Sequence, residues 1–156
     1  MIDNIVRTYC RAGDEVVFPQ HSWAGFVISA RRQGAIPVQV ANKADFIPDV
    51  DALLAAVTPK TRVLLVASPN NPMGSHIAGS ELRRLRDGLR KDVVLVIDSA
   101  YADYVTAPDY SAGHDLVAGT PNVVVTRTFS KCYGLAGARC GWAHAPRPVI
   151  AALNQM

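Results

Sequence analysis

The stretch Val123-Val124-Val125-Thr126-Arg127-Thr128-Phe129-Ser130-Lys131 decides the fold, because an unbroken apolar run ends there in a hydroxyl-rich turn and a lysine. Two earlier runs, 63–67 and 93–97, are also apolar throughout and are also followed by polar residues. Strands that are apolar at every position are buried on both faces, as in parallel sheets. The three runs therefore predict the central strands of a parallel sheet.

Amphipathic helices separate these predicted strands. Between the runs 63–67 and 93–97, leucines recur at helical spacing at Leu82, Leu85 and Leu89. Before the run 63–67, Asp49 stands where it would cap another helix. Alternating strands and helices predict an α/β fold, a mostly parallel sheet sandwiched by helices. Further strands are predicted at 15–18, 35–40 and 141–145, and further helices at 2–9 (closed by Gly13), 23–30 and 148–156.

Composition narrows the possible function classes. The chain has 156 residues, of which 49% are hydrophobic, and its formal net charge is +3. This is enough for one packed domain, and the scattered basic residues do not form a surface for nucleic acid. No apolar run reaches transmembrane length, and the first residues lack the pattern of a signal peptide. Neither a nucleic-acid partner nor a membrane is therefore expected.

Cysteine and histidine usage indicates no disulfide framework and no metal site. Cys10, Cys132 and Cys140 form no C-x-x-C pair, and the histidines are not at ligand spacing. Unpaired cysteines are typical of a reducing compartment, which favours a cytoplasmic location.

Polar side chains follow three of the predicted strands. Asn71, Asp98 and Lys131 each come just after an apolar run. Ligands of parallel sheets bind beyond the carboxyl ends of the strands, so we expect these three side chains to lie close together. An amide, a carboxylate and an amine suit a flat, anionic, phosphorylated aldehyde. The pattern therefore points to pyridoxal 5'-phosphate (PLP) as the cofactor.

Three segments resemble the signatures of the class I/II aminotransferases, which are PLP-dependent enzymes of fold-type I. The segments are Ser68-Pro69-Asn70-Asn71-Pro72-Met73-Gly74, Asp98-Ser99-Ala100-Tyr101 and, at 126–141, TRTFSKCYGLAGARCG. The long third segment is specific, and 102–105 is similar to the histidinol-phosphate branch of the family. Met73 and Ser99 depart from the family's Thr and Glu. The resemblance implies the large domain of an aspartate aminotransferase-like fold, with six of seven family strands and the last one antiparallel.

The resemblance assigns the central chemistry to Lys131 and Asp98. Lys131 would form the Schiff base with the cofactor aldehyde and then carry the proton, and Asp98 would face the pyridine nitrogen. Outside this motif, a surface lysine and a helix-capping aspartate would be the ordinary interpretations.

The same resemblance implies contacts to the cofactor ring. Asn71 and Tyr101 would donate hydrogen bonds to the phenolic oxygen of the cofactor, with Tyr101 counted among the catalytic residues. Trp23 would stack on the ring. The alternatives are a plain Asn-Pro turn for Asn71 and core aromatic residues for Tyr101 and Trp23.

Cofactor phosphate would be bound by Arg139, Thr128 and Ser130. Arginine offers a planar, permanently charged fork, and hydroxyl groups add short donors. A solvated arginine and turn-stabilising hydroxyls are the alternatives. Cys132 lies beside Lys131 without a marked base, which favours a bystander thiol over a nucleophile.

The resemblance implies transamination between histidinol phosphate and 2-oxoglutarate in histidine biosynthesis, by a homodimer when intact. Another class I/II aminotransferase or a threonine-phosphate decarboxylase stays possible, as does a non-catalytic remnant. We interpret residues 1–156 as a partial PLP-binding large domain, without the family's N-terminal arm and C-terminal small domain. These residues alone are therefore not expected to be a competent aminotransferase.

Overall fold

The computed structural model describes residues 1–155 and gathers six strands into one sheet. The strand order is β2-β1-β3-β4-β5-β6, with the first five strands parallel and β6 antiparallel to β5. The predicted α/β class and the antiparallel last strand are therefore confirmed. The strands are β1 (Glu15–Pro19), β2 (Ile36–Val40), β3 (Thr61–Ala67), β4 (Val94–Asp98), β5 (Val123–Thr128) and β6 (Gly141–His144).

Helices cover both faces of the sheet, because the strands present apolar side chains to both sides. Leu64 and Leu65, neighbours in β3, point to opposite faces and are both fully buried. Burial of such a side chain stabilises the fold by roughly 1.5–3 kcal/mol. The helices are α1 (Ile2–Tyr9), α2 (Gly25–Arg32), α3 (Val50–Ala55), α4 (Gly79–Gly88) and α5 (Arg147–Leu153), with 3₁₀ turns at Ala102–Tyr104, His114–Leu116 and Ala136–Ala138.

Capping residues set the helix boundaries. The Asp49 carboxylate accepts hydrogen bonds from the amides of Asp51 and Ala52, at 3.0 and 3.2 Å, as its position before α3 predicts. The first helix has the predicted bounds, but Gly13 does not close it. It ends before Cys10, whose backbone is already extended, and Gly13 lies in the turn that follows. The last helix ends at Leu153, so the predicted helix over 148–156 is too long, and Met156 itself lies outside the described residues.

Strand register brings the site together at one edge of the sheet. Asp98 is paired with Ala67 on one side and with Thr126 on the other, so β3, β4 and β5 end at nearly the same level. Gly141 then pairs with Thr128 as β6 returns. The segments after these strands therefore converge beyond the carboxyl ends. Within residues 1–155, no helix has the length and apolar composition needed to span a bilayer.

Candidate active site

A cavity of about 380 Å³ opens at the carboxyl ends of β3, β4 and β5. All eight side chains that the sequence marks as site residues lie on its walls, although they come from segments up to 116 positions apart. Their gathering in one place follows from the strand register. These residues are Trp23, Asn71, Asp98, Tyr101, Thr128, Ser130, Lys131 and Arg139.

Asp98 supplies a carboxylate inside the cavity. It is the last residue of β4, and one of its oxygens accepts a hydrogen bond from the Thr126 hydroxyl at 3.0 Å. Burial raises the pKa of Asp98, against the opposing effect of hydrogen bonds from Thr126 and the Ala100 amide. A carboxylate in such surroundings is stabilised further by a cationic donor.

Lys131 and Tyr101 face each other across the cavity. The Lys131 ammonium lies 4.8 Å from the centre of the Tyr101 ring, within the range of a cation–π contact. Behind Lys131 the chain turns tightly, because the amide of Gly134 donates to the Lys131 carbonyl at 2.9 Å. A primary amine is thus held at the mouth of the site.

Hydroxyl groups and a guanidinium form another part of the cavity wall. The Thr128 hydroxyl donates to the Ser130 hydroxyl at 2.9 Å and accepts from the Ser130 amide at 3.1 Å. Arg139 has a left-handed backbone, with φ of 49°, and its guanidinium donates to the Ala136 carbonyl at 3.0 Å. A non-glycine residue in this conformation costs roughly 1–3 kcal/mol, and such strain is concentrated at functional sites.

Asn71 and Trp23 come from two loops at the same edge. Asn71 lies in the turn after β3, which is held by Asn70, whose carboxamide donates to the His21 carbonyl at 2.5 Å. The Trp23 ring is 43% exposed and lies against the backbone of Gly25, where an added Cβ would meet the ring at 2.3 Å. Only glycine at position 25 therefore leaves the ring in this place.

Comparison with known proteins gives the family. The family model described as "Aminotransferase class I and II" matches residues 1–156. The chain belongs to this family. It is 50% identical over 156 residues to the histidinol-phosphate aminotransferase of Erythrobacter litoralis, and the match covers 100% of the chain and 42% of that protein.

Solved structures of aminotransferases share the fold. A crystal structure of histidinol-phosphate aminotransferase from Sinorhizobium meliloti in complex with pyridoxal-5'-phosphate superposes with a TM-score of 0.93 at 31% identity, covering 99% of this chain and 42% of that one. An aspartate aminotransferase from Rhizobium meliloti gives 0.88 at 30% identity, with 97% and 40% covered. The aspartate aminotransferase-like fold is thereby confirmed. The chain spans less than half the length of these relatives.

Sequence reasoning missed three residues around this aminotransferase site. Thr126 donates to Asp98, and its alignment with Asp98 in the neighbouring strand could have indicated this contact. Arg127 lines the cavity and pairs with Asp103 at 2.6 Å. A charged residue directly after three valines was the available signal for Arg127, but no periodic pattern connects it to Asp103.

Proposed function

We propose that the polypeptide containing this chain is a PLP-dependent aminotransferase that exchanges the amino group of histidinol phosphate with 2-oxoglutarate in histidine biosynthesis. One observation carries the proposal: an amine, a desolvated carboxylate, two hydroxyls and an arginine converge on a single cavity. The names of the similar proteins support the choice of amino donor. Because the chain covers 42% of these relatives, the activity is proposed for the whole polypeptide.

The chemistry of the cavity fits PLP. The volume is within the range of small-molecule sites. Burial raises the pKa of Asp98, and the hydrogen-bond partners of its carboxylate are a hydroxyl and a backbone amide. A protonated pyridine nitrogen would add a cationic hydrogen-bond donor to these two neutral ones. Arg139, Thr128 and Ser130 offer the donors that a phosphate group requires.

Lys131 would hold the cofactor by its aldehyde and move a proton at the substrate carbon that carries the amino group. When bound, PLP supplies an electron sink for the electrons released at that carbon. The amine of Lys131 is available for both tasks, since its contact in the structure is the face of the Tyr101 ring. A positioned proton carrier of this kind contributes about 10²–10⁴-fold to a rate.

Asp98 would hold the proton on the pyridine nitrogen, and Thr126 would orient the carboxylate through its 3.0 Å hydrogen bond. Asn71 and Tyr101 would donate to the phenolic oxygen. Such donors favour its ionised form and lower the pKa of the lysine–cofactor linkage. The four side chains would thus set the charge at both ends of the ring.

Arg139, Thr128 and Ser130 would bind the phosphate group of the cofactor. Arg139 uses one N–H for the Ala136 carbonyl, which leaves other donors of its fork for an anion. The Trp23 ring would cover one face of the cofactor.

We propose this chain as the large-domain part of a cytoplasmic homodimer, in line with the family resemblance. Light scattering of the purified polypeptide tests the dimer.

Borohydride reduction tests the cofactor site. The complete polypeptide is incubated with PLP, reduced and mapped by mass spectrometry. We expect the pyridoxyl mass on Lys131, with no label there in Lys131→Ala and unchanged labelling in Lys91→Ala, a lysine remote from the cavity. Labelling at another lysine in the parent protein contradicts the assignment.

Substrate choice needs a separate assay. Transfer to 2-oxoglutarate is measured with histidinol phosphate, with aromatic amino acids and with threonine phosphate, each at equal concentration. We expect the highest kcat/KM for histidinol phosphate. Preference for an aromatic amino acid would leave the PLP site intact and reject the proposed substrate. Release of carbon dioxide from threonine phosphate would identify a decarboxylase.

A further inference from the structure

Arg127 and Asp103 form the least exposed ion pair among residues 1–155, and it lies beside the cavity. The Arg127 guanidinium donates to the Asp103 carboxylate at 2.6 Å, and the two side chains are 14% and 26% exposed. In every other ion pair within residues 1–155, at least one partner is more than a third exposed. Exposed pairs contribute little to stability, and this pair is the one that water screens least.

Asp103 lies close to the chain on both sides of Lys131. Its carboxylate accepts the hydrogen bond from Arg127, which precedes Lys131, and lies near the thiol of Cys132, which follows it. Arg127 first, and then the neighbouring Cys132 thiol, lower the pKa of Asp103. The pKa of the Cys132 thiol is raised, first by desolvation and then by Asp103. One carboxylate is therefore bonded to the strand end that leads into the segment carrying the reactive lysine.

Asp103 is also connected to Tyr101. It lies in the 3₁₀ turn Ala102–Tyr104, which begins directly after Tyr101, and the amide of Tyr104 donates to the Tyr101 carbonyl at 3.1 Å. The Tyr101 ring is the surface that the Lys131 ammonium contacts at 4.8 Å. Movement of Asp103 relative to Arg127 would thus change the distance between the tyrosine and the lysine.

The surroundings of Arg127 indicate a role in geometry more than in stability. Its guanidinium carbon lies 5.8 Å from the centre of the Trp142 ring, and its Nε is buried without a hydrogen-bond partner. An unpartnered buried donor is unfavourable. A partly exposed ion pair contributes little to stability, so stability alone does not account for Arg127.

We infer that Asp103 and Arg127 are a positioning pair that holds Tyr101 and Lys131 in the arrangement needed for cofactor chemistry. The inference rests on the proposed function. Neither residue needs to contact the cofactor or the substrate for this role, although Arg127 lines the cavity. Their effect is transmitted through Tyr101, whose hydroxyl would donate to the phenolic oxygen.

A pH titration of bound PLP tests the inference in the complete polypeptide. The absorbance midpoint of the lysine–cofactor linkage should rise by roughly 0.5–1 pH unit in Asp103→Asn, because the hydrogen bond from Tyr101 is weakened. Tyr101→Phe should raise it as well, and the double variant should show little further change, since both act through one contact. Asp92→Asn removes a carboxylate from an exposed ion pair with Arg90 and serves as the matched control.

Each outcome is decisive. An unchanged midpoint in Asp103→Asn, with PLP on Lys131, overturns the inference, and so does full additivity with Tyr101→Phe. If Asp103→Asn does not fold, Arg127→Lys replaces it, because lysine keeps the charge and loses the planar fork. A smaller rise is then expected, and no rise contradicts the pairing. A parent protein without PLP on Lys131 rejects the proposed function instead.

Thiol labelling gives a second measurement that is independent of the cofactor. Alkylation at pH 7.5 followed by peptide mapping reports Cys132 and Cys140 separately, and both are exposed. Asp103→Asn should speed the reaction of Cys132 about threefold, since loss of the adjacent carboxylate increases the thiolate fraction. Cys140 is the internal control. Equal rates at Cys132 in the parent and the variant would show that Asp103 does not reach this segment in solution.

Discussion

In β3 and β4 side chains are buried on both faces of the sheet, whereas every residue from 131 to 142 is exposed. Apolar packing stabilises β3 and β4. Residues 131–142 are held by hydrogen bonds between residues close in sequence and by the pairing of β6 with β5. Stability and chemistry therefore depend on different residues that are adjacent in space. Substitutions that separate the two properties are the direct way to test this division.

The same leucine truncation in each region should give the largest contrast. Leu95 in β4 is 0% exposed, and Leu135 in the turn after Lys131 is 51% exposed. We expect Leu95→Ala to lower the free energy of unfolding by about 2–5 kcal/mol through lost burial and the resulting cavity. Leu135→Ala should stay within about 0.5 kcal/mol. Urea unfolding measures both, and equal losses would refute the division.

Asp98 lies at the boundary between the two regions and should separate stability from activity. Asp98→Asn should lower turnover at least about 100-fold, because an amide does not hold the proton on the cofactor nitrogen. Asp98→Glu should be milder. Since burial raises the pKa of Asp98, the ionised carboxylate opposes folding as the pH rises above about 4.

Without PLP, then, Asp98→Asn should unfold at the same or a higher temperature than the parent at pH 7. Calorimetry of the cofactor-free proteins checks this. A lower melting temperature would show that Asp98 serves the fold. Turnover at the parent rate would show that it does not serve the cofactor.

Substitution of Arg139 tests whether the exposed loop contributes to PLP binding without contributing to stability. Arg139→Lys should weaken PLP binding by about tenfold, because lysine keeps the charge but not the two-pronged contact to phosphate. The unfolding free energy should change little, since the side chain is exposed. Spectroscopic titration with PLP measures the affinity. An unchanged affinity would return Arg139 to the role of a solvated loop residue.

The smallest expected effect is a pH dependence of the unfolding free energy that arises at the edge of the sheet. There His114 stacks on Trp142, and the Nδ1 atoms of His114 and His144 lie 3.2 Å apart. Burial, then His144 and Arg127, lower the pKa of His114. The unfolded chain therefore binds this proton first as the pH falls. The contribution to stability is complete above the ordinary histidine pKa of about 6.5 and is lost as the pH falls through the lower folded value.

Urea unfolding at pH 7.5 and at pH 5.5 measures this contribution. The parent should lose more stability between the two values than His114→Asn does. His21→Asn, at the other side of the sheet, is the control. Identical losses in the parent and in His114→Asn would contradict the expected linkage.

Particular residues show how far the sequence could predict this structure. The apolar runs 63–67 and 93–97 were sufficient for the central strands, and placement after such strands was sufficient to bring Asn71, Asp98 and Lys131 to one cavity. Their assigned roles came from family resemblance, because spacing alone does not distinguish a cofactor lysine from a surface lysine.

Other features depend on the assembled fold. Arg127 and Asp103 are 24 positions apart, and their pairing depends on where the 3₁₀ turn after Tyr101 settles against β5. The spacing of apolar residues along the sequence does not reveal contacts between side chains that are distant in the sequence. Similarly, α1 ends before Cys10 because this residue is buried in an extended conformation, although Gly13 was the stronger local signal.

The end of β5 has a consequence for insertions and deletions. Thr126 donates to Asp98 on one face of the sheet, and its neighbour Arg127 lies over Trp142 and reaches Asp103 on the other. Because successive residues of a strand alternate between faces, loss or gain of one residue here would exchange these two environments. Substitution at either position changes one contact. A one-residue shift would reverse both together, so the length of this segment is under tighter constraint than the identity of either side chain.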